Sequence, residues 1–342
     1  MPEFTNGRHL VKEYPSGYPI PGRTTAYDTS AKINTDSVSL NGGILAKLLL
    51  ISVDPYLRGR LAGYTPSKFA LEEPLAGYGI VKVIRSENDK FHPGDILYGN
   101  GRIRHEEYSI ITKEEAEHVV AFKPVDGIPL SVYIGAAGMP GLTAFTGLKE
   151  YGNVKKGETI FVSTAAGAVG SMVVQIAKKE GLKVIGSAGS EEKVKFLKEL
   201  GVDVAFNYKT TDTREVLQKE GPIDIYWDNV GGDTLDAVLE NTNEHARVIM
   251  CGAISGYNGE PAIVKNLMYT IYKQTKLYGH LVGPLLSKYQ EAFDKDVIPK
   301  LADGTYKHRE DKVYGLDKAS QALLDVLKGA NVGKSVVVVS ED

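Results

Sequence analysis

Between residues 158 and 180 the chain reads ETIFVSTAAGAVGSMVVQIAKKE, and these residue types suit one chemistry, the cradling of a pyrophosphate. Residues 159–163 form an apolar run of strand length. A turn of mostly small residues follows at 165–170, and helical spacing resumes at Met172, Val173, Ile176 and Ala177. Strand, small-residue turn and helix open a dinucleotide-binding βαβ unit. The backbone at Gly167, Val169 and Gly170 must approach the phosphates closely, and the helix presents free N–H groups and its positive dipole end to them. Ala165 stands where the G-x-G-x-x-G pattern has its first glycine, so the pattern by itself also fits a plain strand-to-helix turn.

The next strand sharpens the reading. Residues 183–187 (KVIGS) are β-prone, and EEKVKFLKELG continues as a helix. A site for the unphosphorylated dinucleotide places Asp or Glu at this strand end, on the ribose 2′-hydroxyl. Here the positions are Ser187, Ala188, Gly189 and Ser190, a neutral loop with room for a 2′-phosphate, and Lys193 lies one turn into the helix. Lys193 alone also reads as a solvated lysine on a helix face. The missing acid tips the balance to NADP(H).

Other chemistries find fewer residues. Cys251 is the one cysteine, which leaves no intramolecular disulfide and no Cys-rich zinc site. His92, His105, His118, His245 and His280 are scattered, without Glu-x-x-His or His-x-x-x-His spacing. Each reads as a surface or hydrogen-bonded histidine, and no metal is expected. In VDPYLRGR, Tyr56, Arg58 and Arg60 are costly to bury without partners. Composition alone fits a structural turn carrying a surface arginine pair.

The elements that must position these residues fall into two regions. A chain of 342 residues exceeds what one hydrophobic core usually serves, so two domains are expected. A net charge of −3 leaves no footprint for nucleic acid or an anionic membrane. MPEFTNGRHLVKEYP lacks the apolar core of a signal peptide, and no run approaches a membrane span. A soluble protein of a reducing, cytoplasmic compartment is the expectation. Up to about residue 137, β-prone runs at 44–53, 78–85, 95–98 and 108–112 are broken by glycines at 42–43, 63, 77, 94, 99 and 101. Short strands with glycine turns suggest a compact, partly open barrel. Leu142, Phe145 and Leu148 then set a packed connecting helix. After the phosphate turn, strands at 204–207, 223–228, 246–251 and 276–282 alternate with helices near 213–218, from 233 and around 264–272. That alternation argues for α/β architecture with a doubly wound parallel sheet. A helix at 319–328 and a β-branched strand at 334–339 close the chain, the strand returning to the first domain's sheet.

Nine segments in order, VDPYLRGR, AGYGIVKV, GMPGLTAFTGL, AAGAVG, SAGSEEK, FNY, WDNVGG, CGAISGYN and NVGKSVV, carry a resemblance over nearly the whole length. The chain resembles a zinc-independent medium-chain dehydrogenase/reductase. Within that superfamily it is most similar to the alkenal/one oxidoreductase group, with its prostaglandin reductases and plant NADP-dependent double-bond reductases. The resemblance implies a GroES-like, partly open β-barrel catalytic domain at 1–137 and 310–342, a central Rossmann NADP-binding domain at 138–309, and commonly a homodimer. It places Lys193 and Tyr208 on the 2′-phosphate, with Ser187, Gly189 and Ser190 shaping the loop, and Gly167, Val169 and Gly170 at the pyrophosphate. Asn229 and Asn331 fall at the nicotinamide end. Tyr257 overhangs the substrate, and Tyr56 and Tyr78 line the pocket. From the residues alone, any one tyrosine among 19 is more often packing or surface, and Asn229 and Asn331 beside glycines also suit turns.

The reaction implied is reduction of the C=C bond of an enal or enone by NADPH. Hydride addition to the β-carbon gives an enolate, which a phenol such as Tyr257 can stabilise without a Lewis-acid metal. A quinone oxidoreductase or a metal-free secondary-alcohol dehydrogenase would share the cofactor half, and a non-enzymatic NADP-binding redox-sensing module is the rival of another class. CGAISGYN and VDPYLRGR, outside the cofactor turn, favour an enzyme.

Overall fold

The structure is a computed structural model describing residues 3–63 and 67–341. The chain divides into two units, Met1–Ile134 with Glu310–Asp342, and Gly135–Arg309.

In the second unit, β1 (Thr159–Val162) is followed by α1 (Ala168–Lys179), β2 (Lys183–Ala188), α2 (Glu191–Glu199) and β3 (Val204–Asn207). The chain then adds β4 (Ile223–Asp228), β5 (Thr242–Met250) and β6 (Lys276–Gly279). All neighbours pair in parallel, in the order β3-β2-β1-β4-β5-β6. Ile160, Phe161 and Val162 are wholly buried, as a parallel strand covered on both faces requires. The apolar positions of α1, Met172, Val173, Ile176 and Ala177, are all buried, and Lys178 and Lys179 complement the dipole in its last turn. Gln175 pairs like a strand with the returning chain, donating to Lys307 O (2.9 Å) while Lys307 N–H donates to its Oε1 (2.7 Å).

The first unit is built on a seven-stranded sheet. Its centre is Ile44–Ser52, antiparallel to Ala76–Ser86 on one edge. The other edge is shared by Tyr108–Ile111 and the C-terminal strand Lys334–Val338, with Val337 opposite Ile51. The β-branched tail therefore completes a sheet begun almost 300 residues earlier, and helix Ala319–Lys328 packs its apolar face into the same core.

Three expectations change. Gly77, Gly99 and Gly101 lie inside strands Ala76–Ser86 and Ile96–Arg104 rather than breaking them. A Cβ at Gly99 would collide with Ile103, so that glycine serves packing, not chain reversal. VDPYLRGR forms a helix, Tyr56–Ala62, closed by Gly63 in the left-handed region. The helix expected at 264–272 shortens to Met268–Tyr272, because the Lys265 and Asn266 N–H groups are drawn to Asp236. Among the described residues no helix is long and apolar enough to cross a membrane.

Candidate functional site

The phosphate turn lies where the sheet order reverses, between β1 and β4, the place at which open α/β sheets bind ligands. Ala165 N–H donates to Ser187 O (2.8 Å), which presses the turn against β2. The alanine that replaces the first glycine is accommodated by a glycine on the neighbouring strand. A Cβ on Gly186 would lie 3.0 Å from the Ala165 methyl. Gly170 is obligatory for a second reason, since a Cβ there would meet Thr164 O at 2.6 Å and Ala165 Cα at 2.8 Å. No side chain caps the N-terminus of α1 at Gly167, so its first-turn N–H groups are offered to an anion. Sequence reasoning passed over Thr164. It takes the positive φ of the turn (48°), rare for a β-branched residue, and its hydroxyl is buried without a partner.

At the end of β2, Ser187 is buried and Ser190 caps α2, its Oγ accepting from Lys193 N–H at 3.3 Å. A Cβ on Gly189 would stand 3.0 Å from the Tyr208 hydroxyl, and Tyr208 N–H donates to Ala188 O (3.1 Å). The fold thus gathers Ser187, Gly189, Ser190, Lys193 and Tyr208 around one strand end, with the Tyr208 ring half-exposed. The nearest acid in sequence, Glu191, is engaged by Asn207 Nδ2 (2.9 Å). The neutral strand end, the uncapped helix and the glycine cradle fit a phosphorylated dinucleotide.

Asn229, at the end of β4, is committed to the fold. Its Nδ2 donates to Ser163 O (2.7 Å), its Oδ1 accepts from Trp227 Nε1 (3.2 Å), and its N–H donates to Ser163 Oγ (3.0 Å). Asp228 beside it was missed at the sequence level. Its Oδ1 accepts from the Tyr226 hydroxyl (2.8 Å) and from Val230 and Gly231 N–H (2.9 and 2.8 Å), and burial raises the carboxyl pKa.

The loop carrying Tyr257 hangs from this corner. Cys251 N–H donates to Asp228 O, Ile254 N–H to Asn229 O, and Ser255 Oγ to Val230 O (2.6 Å). The buried Asp236 holds the loop's far arm, accepting from Lys265 and Asn266 N–H (2.8 and 2.9 Å). The Tyr257 hydroxyl accepts from Ala253 N–H at 3.3 Å and lies over Gly252, where a Cβ would be 3.2 Å away. That N–H fills a lone pair and leaves the phenol proton free to be donated, and burial raises the phenol pKa.

In the first unit, Tyr56 and Tyr78 meet edge-on with ring centroids 6.1 Å apart, and Tyr98 continues the cluster 6.0 Å from Tyr78. Burial, and then the Asp54 carboxylate, push both the Tyr56 and Tyr78 phenols up. The arginines of VDPYLRGR are not a surface pair. Arg58 is buried and donates to Gly17 O (3.1 Å) and Pro15 O (3.2 Å). Arg60 donates to Ala76 O (2.6 Å) and Ser67 O (2.9 Å) beneath its stack on Phe69. Backbone carbonyls supply the partners that burial demanded. Asn331 Nδ2 donates to Gly333 O (2.7 Å) and holds the turn before the last strand.

Two family models match, a zinc-binding dehydrogenase over residues 168–301 and an N-terminal domain of oxidoreductase over residues 15–119. The chain is 41% identical to the NADP(+)-dependent 2-alkenal reductase of Nicotiana tabacum, over 99% of both chains. It is 41% identical to the (+)-pulegone reductase of Mentha piperita, over 88% of this chain and 89% of that one. The crystal structure of CurA from Vibrio vulnificus in complex with NADPH superposes with a TM-score of 0.88 at 32% identity, covering 98% of this chain and all of that one.

The zinc in the first model's description does not fit the donors present here. Among the described residues no group of three or more His, Cys, Asp or Glu side chains could hold a metal ion. Cys251 is the single cysteine, so no site with several thiolate ligands can form, and burial raises its thiol pKa. With its fold, its phosphate cradle and these relatives, the chain belongs to the medium-chain dehydrogenase/reductase family, in the zinc-independent alkenal/one oxidoreductase group.

Proposed function

We propose that the protein is an NADPH-dependent reductase of the C=C bond of α,β-unsaturated aldehydes and ketones. The observation that carries the proposal is the Tyr257 hydroxyl, which accepts from Ala253 N–H and so keeps its own proton for a substrate oxygen. The likeness to the tobacco and peppermint enzymes supports the same reading.

A reduced nicotinamide, when bound, supplies hydride chemistry; the chain's residues do the rest. The first turn of α1 and the Gly167–Gly170 backbone would hold the pyrophosphate, and Lys193, Tyr208 and Ser190 the 2′-phosphate. Asn229 would act chiefly by fixing the corner between β1 and β4, since most of its polar reach is spent there, and Asn331 by setting its own turn. As the β-carbon is reduced, negative charge collects on the substrate's carbonyl oxygen, and Tyr257 would donate to it. The Ala253 N–H behind the phenol strengthens that donor. Tyr56 and Tyr78 would form an aromatic wall for a flat conjugated substrate.

We also read the protein as a cytoplasmic homodimer with GroES-like and Rossmann domains. The open edge of β6, its exposed Leu277, and the exposed Ile271, Tyr272 and Leu281 beside it support self-pairing. NADPH consumption assayed with an enone, a simple ketone and a quinone, with product analysis, tests the activity. A saturated ketone from the enone is expected; turnover of the ketone or quinone alone would refute it.

A further inference from the structure

Two fully buried imidazoles meet behind Tyr56. His9 Nδ1 and His105 Nδ1 are 3.3 Å apart, and His9 Nε2 is 2.9 Å from Ser320 Oγ. Ser320 Oγ donates to Thr25 O (3.0 Å) and accepts from the Thr25 hydroxyl (2.9 Å). With its proton on that carbonyl, Ser320 accepts from His9, so His9 is protonated at Nε2 and presents a bare Nδ1. His105 then supplies the shared proton from its Nδ1, and its Nε2 is left as a bare lone pair. Backbone bonds fix the ring's base, His105 N–H to Leu75 O and His9 N–H to His105 O, both 2.8 Å.

His105 Nε2 is buried with no hydrogen-bond partner, and the Tyr56 hydroxyl, equally buried, has no acceptor for its proton. Both face one missing side chain: a Cβ on Gly77 would lie 3.4 Å from His105 Nε2 and 3.4 Å from Tyr56 Oη. The Arg60 guanidinium and the Tyr78 backbone also face the phenol oxygen, but completing a bond there they could only donate. The phenol proton therefore lacks an acceptor, and the lone pair of His105 lacks a donor. A buried lone pair and a buried hydroxyl proton that both lie 3.4 Å from one Cβ position can be joined by one bridging water.

We propose that His105 is a positioning residue for Tyr56, acting through a single water held beside Gly77 between its Nε2 and the phenol. The water fixes the direction of the Tyr56 O–H and so the set of its ring. His9, Ser320 and Thr25 lock the tautomer that makes this possible. The consequence for catalysis rests on Tyr56 lining the substrate pocket.

Gly77→Ala is the direct test, because its methyl reaches ordinary contact distance and takes the water's place without backbone strain. We expect kcat/KM for an enone to fall about five- to tenfold, the loss of one such hydrogen bond. The fall should vanish in a Tyr56→Phe background, where no hydroxyl remains to be positioned. An equal fall in both backgrounds would mean mere packing and overturn the proposal. A second readout needs no substrate: ¹⁵N spectra of the histidine rings in the free protein. They should show His105 as the Nδ1–H tautomer, with an Nε2 resonance that Gly77→Ala moves toward that of an unbonded acceptor. An Nε2–H tautomer, or a resonance indifferent to the substitution, would also overturn it. Expected spectra without any enone turnover would sink the reductase reading and leave the His105 site standing.

Discussion

Lys334 Nζ lies 2.9 Å from Asp54 Oδ1 and donates to Val53 O at 2.7 Å, so NVGKS and VDPYLRGR are joined inside one unit. Both side chains are almost fully buried, at 4% and 8% exposure, where a charge tolerates no loss of its partner. Ser52 Oγ donates to the other carboxylate oxygen at 2.5 Å. The carboxylate sits two residues before Tyr56 and adds to the burial that raises the Tyr56 and Tyr78 phenols. An ion pair close to the Tyr56–Tyr78 ring pair thus joins the last strand of the chain to the residues leading into helix Tyr56–Ala62.

Lys334→Met should therefore destabilise the protein by about 3–5 kcal/mol, since it strands the Asp54 carboxylate. Lys334→Met with Asp54→Asn should recover part of that loss. Denaturant titration measures both. A single variant within about 1 kcal/mol of the parent would show that the pair is solvated and the argument wrong.

The buried imidazoles predict acid sensitivity. Burial lowers His9 from 6.5 to about 3, and His105 moves in the same direction, helped by His9 and Arg60. Between those pH values the unfolded chain binds more protons than the folded one, so stability is full above about 6.5 and is lost as pH falls toward 3. His9 alone accounts for something on the order of 4–5 kcal/mol over that window. Unfolding midpoints measured from pH 7.5 to 4.5 should fall steadily, and His9→Gln should flatten the slope. A parent protein equally stable at pH 7 and pH 5 would contradict this.

The alternation of strand and helix from residue 159 to 250 was legible because a covered parallel sheet leaves apolar runs at fixed intervals, and Val204–Asn207 and Ile223–Asp228 match to the residue. The arginines of VDPYLRGR were not. Their partners are carbonyls of Gly17, Pro15, Ser67 and Ala76, which no local pattern announces. His9 and His105 are 96 residues apart, and only the pairing of distant strands makes them neighbours. Asn229 and Asn331 were legible as asparagines beside glycines. That the Asn229 amide is spent on Ser163 and Trp227, and the Asn331 amide on Gly333, depends on the third dimension.

Lys193→Ala should weaken NADPH binding about 10- to 100-fold, as loss of a charge-assisted contact would, and leave NADH nearly untouched. Kd values for both cofactors, from fluorescence quenching, decide it. Comparable kcat/KM for the two cofactors in the parent protein would sink the NADP(H) assignment as well as the role of Lys193.

Extended chelation should leave both activity and melting temperature unchanged, because the described residues hold no donor cluster for a metal. Elemental analysis provides the independent check. Stoichiometric zinc, with activity lost on its removal and restored on its return, would revive an alcohol-dehydrogenase reading.

The reaction itself makes the sharpest prediction. Deuterium carried on the transferable C4 position of the nicotinamide should appear on the β-carbon of a saturated product whose carbonyl is intact. Label on a carbinol carbon would mean carbonyl reduction and would remove the enolate, and with it the need for Tyr257. If the assignment holds, Tyr257→Phe separates wall from donor, because it keeps the ring over Gly252 and removes the hydroxyl. An oxyanion donor in a sealed site is worth about 2.7–4 kcal/mol. Tyr257 is only half-buried, so its loss should cost less, about tenfold in kcat, with KM changed little because the contact strengthens as charge develops. The Ala253 N–H adds a further check. With the phenol oxygen gone, that N–H loses its acceptor, and faster amide exchange at Ala253 should accompany the fall in kcat. Full kcat with several enones would leave Tyr257 as a wall and assign charge stabilisation to another donor.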